Sequence, residues 1–261
     1  MEFEDLVVER QQGVVWITIN REQRGNAFRG RTLDEMIQVL EDARNDAECR
    51  SVVITGVGDR FFCLGGDHED HEPEQVFHYG KVLPVVDLYE LIDKHPCPVI
   101  AMVNGYAVGG GNVLALMCDL TVASSSAEFR QVGPMMGSFD AGFGTWYLED
   151  AVGRKRAKEI WMLNRKYSAR EALEMGLINE VVDPADLRAR VEGLCREIAD
   201  RGPQALAALK ASFHARHCGA PGLSRVALDL LTPHYYATEE SKELGRAFAE
   251  KRPPDKARFN R

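Results

Sequence analysis

No apolar run in the 261-residue chain approaches the ~20 residues needed to span a bilayer, which sets aside a membrane-embedded role. There is no Lys/Arg run, and the net charge is -8, so neither nucleic acid nor an anionic membrane finds a basic footprint. The six cysteines, at 49, 63, 97, 118, 195 and 218, lack CxxC spacing, and the opening Met1-Glu-Phe-Glu-Asp5 is acidic without an apolar leader core. Free thiols in a cytoplasmic protein are the expectation. No GxGxxG follows a strand with an acidic partner downstream, and no HExxH occurs, which counts against a dinucleotide fold and a zincin-type metal. His68-Glu-Asp-His-Glu72 has metal-ligand residue types but no ligand spacing, so the polar stretch 67–80 reads as a solvated loop. What is present is globular: 45% hydrophobic and 28% charged residues, long enough for one large domain or one domain with an appendage.

Apolar runs alternate with helical patterns. Val14–Ile19, Ser51–Thr55, Pro98–Val103 and Leu120–Ala123 are predicted strands. Thr32-Leu-Asp-Glu35 has the form of a capping box, and Leu33, Met36, Ile37 and Leu40 share one face of the helix that follows. Strand–helix–strand order favours parallel strands with helical crossovers, an α/β class. Beyond about residue 154 the strand signal nearly vanishes. Asp183-Pro184 is predicted to start a helix with Leu187, Val191, Leu194 and Ile198 on one face, Pro203 opens another, and a last helix covers about 238–250. The division expected is a core over 1–200 and a helical region over 201–261, with no internal repeat visible in the residues.

Two glycine-rich segments follow predicted strands: Phe62-Cys-Leu-Gly-Gly-Asp67 and Asn104-Gly-Tyr-Ala-Val-Gly-Gly-Gly111, the latter entering the apolar Val113–Met117. Glycines after strands most often only make tight turns. A glycine run entering a helix also presents unpaired N–H groups at the positive end of a helix dipole. That arrangement suits a phosphate or an oxygen on which negative charge develops.

Taken in order and spacing, Asn20-Arg21, Asn26-Ala-Phe28, FCLGGD, and NGYAVGGGN followed by CDLT resemble the crotonase (enoyl-CoA hydratase/isomerase) superfamily over essentially residues 3–252. The resemblance implies a ClpP/crotonase-like fold of repeated ββα units with a helical C-terminal trimerisation region. It implies an acyl-CoA substrate whose thioester oxygen is held by the N–H groups of Gly66 and Gly110, with Leu64, Gly65, Asp67, His68, Tyr106, Val108, Gly109, Val132 and Lys251 lining the CoA and acyl path. A homotrimer or a dimer of trimers is implied as well. The two glutamates with which hydratases of this superfamily handle water correspond to Val113 and Gly133, and neither can transfer a proton. Simple enoyl-CoA hydration is therefore not expected.

Gln131-Val-Gly-Pro-Met-Met-Gly-Ser-Phe-Asp140, Tyr235-Tyr-Ala-Thr-Glu-Glu240 and Phe248-Ala-Glu-Lys-Arg252 are similar to a narrower group. It contains 2-ketocyclohexanecarboxyl-CoA hydrolase and 1,4-dihydroxy-2-naphthoyl-CoA synthase. That resemblance implies proton handling by Asp140 with Ser138, and protonation or hydrogen bonding by Tyr236, in reach across a subunit boundary. For Asp140 the competing reading is a helix N-cap, and for the tyrosines it is packing. In one class of the synthases the glycine at 133 leaves room for bicarbonate beside a glutamine and a tryptophan, which Gln131 and Trp161 match; the same pocket equally suits a water. No organic cofactor and no metal are expected.

Three features favour the hydrolase over the synthase. The synthases carry a Lys/Arg pair after their GGDQ segment, where this chain has His68–Glu72, which would repel a second carboxylate. The stretch from Asp67 to Pro96 has the hydrolase's length, and Met1–Leu6 with Asn26–Gly30 are like its opening. His68 for glutamine and Met135 for lysine depart from the pattern and leave the ring system open. A non-catalytic acyl-CoA-binding homologue is the reading from another class.

Overall fold

Strand β1 (Leu6–Gln11) turns back on β2 (Val14–Ile19) through Gln12 and Gly13, whose φ of 51° and 75° form the tight turn that matches strand twist. The computed structural model describes residues 3–67, 84–140, 143–219 and 232–258. Helix α1 (Gly30–Arg44) carries the chain to β3 (Ser51–Gly56), which lies parallel to β2. The helix starts two residues before Thr32, so Thr32 does not cap it. Its hydroxyl instead accepts from the Arg29 N–H (3.2 Å) and donates to Asp5 (2.6 Å), while Leu33, Met36 and Leu40 are buried as their spacing requires.

The chain then winds in ββα turns. The first is β3, β4 (Phe61–Cys63) and α2 (Val85–Lys94). The second is β5 (Val99–Val103), β6 (Tyr106–Val108) and α3 (Gly110–Met117). The third is β7 (Leu120–Ser124), β8 (Glu128–Arg130) and the helices α4 (Gly133–Met136) and α5 (Phe143–Val152). The first strand of each turn joins a six-stranded sheet in the order β1-β2-β3-β5-β7-β10, and the second joins a four-stranded sheet, β4-β6-β8-β9. The closing strands are β9 (Lys166–Ser168), antiparallel to β8, and β10 (Glu180–Val182), parallel to β7. The repeat is thus one of backbone, not of residues.

Parallel strands covered on both faces read as unbroken apolar runs, and β3 and β5 are buried along their whole length. Ile17, Val52, Ile54, Ala101 and Val103 face the main core, with α1, α2 and α3. Val14, Trp16, Val53, Ile100 and Val122 face the other way, against Leu187, Val191 and Cys195 of α8 (Leu187–Ala199). Asp183-Pro184 opens a short 3-10 turn before that helix, not the helix itself. The remaining helices are α6 (Arg154–Leu163), packed on α5, α7 (Ala169–Glu174), beside β9 and β10, α9 (Pro203–Ala215), on α2, α10 (Thr232–Ala237) and α11 (Glu239–Ala249), on α4. The expectation that strands end near 154 is corrected by β9 and β10, three residues each and too short to leave a pattern. Among the described residues no helix is long and apolar enough to cross a membrane.

Candidate active site

Both glycine segments leave the small sheet at neighbouring strands, since β4 pairs in parallel with β6. After β4, residues 65–67 bridge to Phe28: the Phe28 N–H donates to Gly65 O (2.8 Å) and the Asp67 N–H to Phe28 O (2.9 Å). After β6, the Gly109 N–H donates to Arg130 O (2.9 Å), and Gly110 begins α3. The two segments touch. A Cβ on Gly65, whose φ is +89°, would lie 2.8 Å from the Gly110 nitrogen, so this position needs glycine for both conformation and space. The Phe28 ring walls the pair, 3.8 Å from the Cβ position of Gly66 and 2.7 Å from that of Gly110. Neither the Gly66 nor the Gly110 N–H donates to a protein acceptor among the described residues.

Tyr89 of α2 was without a motif to announce it, yet its hydroxyl donates to Gly110 O (2.9 Å). Burial, reinforced by the nearby Cys63, Asp140 and Cys118, raises its pKa well above the ordinary phenol value, so it stays a donor. The carboxylate of Asp67 is buried and held by Arg21 (2.9 Å) and Arg24 (2.6 Å), which anchors the first segment. Leu64 and Val108 are half-buried at the two strand ends, and Val132 is buried. Tyr106 packs tilted against Phe61 (5.9 Å between rings) and lies below Lys166. His68 lies outside the described residues, as does the rest of the His68–Glu72 stretch.

Ser138 and Tyr236 meet: their hydroxyls are 2.9 Å apart, within one chain. Gly137 makes this contact feasible. Its φ is +74°, and a Cβ there would lie 2.4 Å from Ser241 O, so α11 docks directly on the turn after α4. The Ser241 hydroxyl donates to Gly137 O (2.7 Å), and Thr238 caps α11 by accepting from the Ser241 N–H (3.1 Å) while donating to Tyr235 O (2.7 Å). Tyr235 packs edge-on to Phe139 (5.4 Å), whereas Tyr236 is 44% exposed. Asp140 accepts from the Gly144 (3.2 Å) and Thr145 (2.8 Å) N–H groups in the first turn of α5, so the capping geometry named for it is present. An ionised carboxylate offers about four acceptor sites, so capping does not by itself exclude a proton-handling role.

The helix α5 also brings Val113 and Trp161 together: a Cβ on Gly144 would lie 2.8 Å from Asp140 Oδ1, 2.8 Å from Val113 Cγ2 and 3.0 Å from Trp161 Cζ2. No carboxylate stands at 113 or 133. Gln131 is fully buried, and neither atom of its amide has a partner among the described residues. The Trp161 indole N–H is turned to Gly144 O (3.4 Å). The space directly off Gly133 is crowded by Ser138 O, 3.3 Å from its Cβ position, so the glycine does not open room for bicarbonate against itself. Lys251 sits exposed just past α11 with φ of 53°, its N–H donating to Phe248 O (3.2 Å), and is not drawn to the glycine pair by any hydrogen bond or ion pair described.

Two glycine turns meet where neighbouring parallel strands of a wound ββα spiral end, each with a backbone N–H that has no protein acceptor among the described residues. The sequence profile described as "Enoyl-CoA hydratase/isomerase" matches residues 9–258, and the chain belongs to that family, the crotonases, which act on CoA thioesters. Solved structures agree. An enoyl-CoA hydratase/isomerase from Pseudoalteromonas atlantica T6c is 27% identical over 97% of this chain and 99% of its own, with a TM-score of 0.87. A carnitinyl-CoA hydratase from Mycobacterium avium is 32% identical over 96% and 97%, at 0.83. An enoyl-CoA hydratase from Mycobacterium avium subsp. paratuberculosis K-10 is 26% identical over the full length of both chains, at 0.85.

Proposed function

We propose that the protein opens the ring of a cyclic 2-oxocycloalkane-carboxyl-CoA by hydrolysis. The observation that carries this reading is the Ser138–Tyr236 hydroxyl pair, standing in a site with no carboxylate at 113 or 133. Hydroxyls and one capped carboxylate suit proton delivery to a carbanion better than the addition of water across a double bond. In the proposed reaction water adds to the ring ketone and Asp140, with Ser138, takes a proton from it. The tetrahedral adduct collapses, the bond from the former ketone carbon to the α-carbon breaks, and its electrons move onto the thioester oxygen. Gly66 and Gly110 N–H groups receive that charge. Tyr236 returns a proton to the α-carbon, and an ω-carboxyacyl-CoA leaves.

Supply of 2-ketocyclohexanecarboxyl-CoA is expected to yield pimeloyl-CoA, and Tyr236→Phe or Asp140→Asn to slow it by about 10²–10⁴-fold. Failure to turn over any cyclic β-oxoacyl-CoA discards the reading. The runner-up is ring closure by a 1,4-dihydroxy-2-naphthoyl-CoA synthase, favoured by the orphaned Gln131 amide, which both donates and accepts as bicarbonate requires. A water on Gln131 serves the hydrolase equally. Naphthoyl-CoA formed from o-succinylbenzoyl-CoA, faster with bicarbonate, would establish the synthase. Tight CoA-ester binding without any product would establish a non-catalytic homologue.

The exposed Leu209 and Phe213, one turn apart on α9, and Met162 with Leu163 at the end of α6, support assembly into a homotrimer or a dimer of trimers. Light scattering on the eluted protein tests this, and a monomer at working concentration removes it.

A further inference from the structure

A second reactive pair lies at the other end of the large sheet from the glycine segments. Cys49 precedes β3 and Cys97 precedes β5, and these strands pair in parallel with Val52 opposite Val99, so their entry points are neighbours. The Val52 N–H donates to Pro98 O (2.9 Å), and the protonated Cys97 thiol donates to the Cys49 carbonyl (3.4 Å). The Cys49 thiol itself donates to Ser51 O (3.6 Å), so both thiols lie at the paired strand entries. Basic groups surround Cys97. Its N–H donates to His95 Nδ1 (3.2 Å), and the buried Lys210 ammonium of α9 donates to its carbonyl (3.2 Å) and to Asp119 (2.6 Å). A cavity of about 50 Å³ opens beside it, lined also by Arg50, Pro98, Arg201 and Leu206. That is room for one or two water-sized molecules. Protons are shared unequally between the two sulfurs. The neighbouring Cys49 foremost, with His95 and Lys210, lowers the Cys97 pKa against the effect of burial, and the neighbouring Cys97 raises that of the more deeply buried Cys49.

We propose that Cys49 and Cys97 form a peroxide-sensitive dithiol in which Cys97 is oxidised first and Cys49 resolves it to a disulfide. The Cys97 thiolate attacks one oxygen of a hydroperoxide, the O–O bond breaks, and the departing oxygen takes up a proton and leaves as water or an alcohol. Cys97 becomes a sulfenic acid. Cys49 sulfur then attacks that sulfur, the hydroxyl leaves as water with the Cys49 proton, and the S–S bond forms. Each sulfur gives up one electron and the peroxide takes two. Lys210 ties α9 to the Cys97 carbonyl, so the disulfide bears on the seat of the C-terminal helices as well as on the two strand entries.

The test is a hydrogen peroxide titration of the full chain, blocked with N-ethylmaleimide and mapped by mass spectrometry without reductant. A Cys49–Cys97 linked peptide lighter by two hydrogens, and reversed by dithiothreitol, is expected. Cys49→Ser should leave a sulfenic acid on Cys97 that dimedone traps, and Cys97→Ser should leave Cys49 unmodified through the same titration. The exposed Cys218 serves as the internal standard. The proposal is overturned if Cys97 stays reduced at peroxide levels that oxidise Cys218. Passage of Cys97 to sulfinic acid in the wild-type chain without a cross-link, or pairing with any other cysteine, overturns it too. The wild-type map alone decides the matter if the serine variants do not fold.

Discussion

The glycine segments and the Ser138–Tyr236 pair are built by different means. Gly65, Gly66 and Gly110 sit at the ends of buried strands, fixed by backbone bonds from Phe28, Asp67 and Gly109, by the Tyr89 hydroxyl, and by the Asp67 carboxylate on Arg21 and Arg24. Ser138 and Tyr236 come from segments 98 residues apart, joined by side chains of a docked C-terminal helix. In the proposed reaction charge stabilisation is thus written into the strand order, whereas proton transfer depends on how α11 seats against the turn at Gly137. A consequence follows for variation within such a fold. The oxyanion half cannot change without changing the core, while the proton-transfer half can be exchanged by altering one loop and one helix. The family match runs through both halves, over residues 9–258, while no carboxylate stands at 113 or 133.

The sharpest way to break the comparison is Gly110→Ala. The new Cβ meets the Phe28 ring at 2.7 Å, and displacement of that N–H should cost about 10²–10³-fold in kcat while circular dichroism stays native. Phe28→Leu added to it should recover part of the loss. Unchanged kcat in Gly110→Ala would detach the glycine pair from the chemistry. Next comes Gly137→Ala, which faces both a positive φ and Ser241 O at 2.4 Å, a strain of about 1–3 kcal/mol. It should free α11, seen as faster amide exchange over 239–249, and lower kcat about tenfold, with no further effect when Tyr236→Phe is already present. Additive losses in that double variant would mean that α11 acts on the site by another route.

Tyr89→Phe is a smaller change of the opposite kind. It removes one donor from Gly110 O and should cost about 1 kcal/mol of stability and several-fold in kcat, leaving exchange in α11 alone. An effect on α11 exchange would show that the two halves are coupled through the core.

How much of this was legible follows the same division. The strands Val14–Ile19 and Leu120–Ala123 were evident because both-face burial demands unbroken apolar residues. The small-sheet strands β4, β6 and β8 were not, since three residues carry no period, although the glycines that end them stood out. Ser138 and Tyr236 were each reached only through likeness to other sequences, and their pairing not at all, because nothing local in either segment points to the other. Tyr89 was missed outright: on the α2 pattern it is one more core residue, and only its hydroxyl partner distinguishes it. Asp140 was read two ways from sequence, and the cap is the one that local geometry supplies.

The smallest expected effect concerns how α11 is fastened at its far end, and it is invisible at neutral pH. Glu243, 2% exposed, accepts from Arg252 (2.6 Å) and from the Asp255 N–H (2.8 Å). The Arg252 hydrogen bond foremost, then that backbone donor, lowers its pKa to about 2 from an ordinary 4.5. A carboxylate depressed by folding contributes stability that is complete above the ordinary value and is lost as pH falls through the depressed one. The tail should therefore loosen from α11 only between 4.5 and about 2. Amide exchange over 250–255, followed down that interval, should show a protonation-dependent rise that Glu243→Gln abolishes by starting from the loosened state. The second glycine segment leans on no such group among the described residues, since Gly109 is held by a peptide hydrogen bond and Gly110 by a neutral phenol, whereas the first is anchored by the Asp67 carboxylate on Arg21 and Arg24. A parallel rise in exchange at Val113, whose N–H donates to Gly109 O (3.1 Å), over the same interval would mean that the tail and the second glycine segment unfold together, and the division drawn between them would fail.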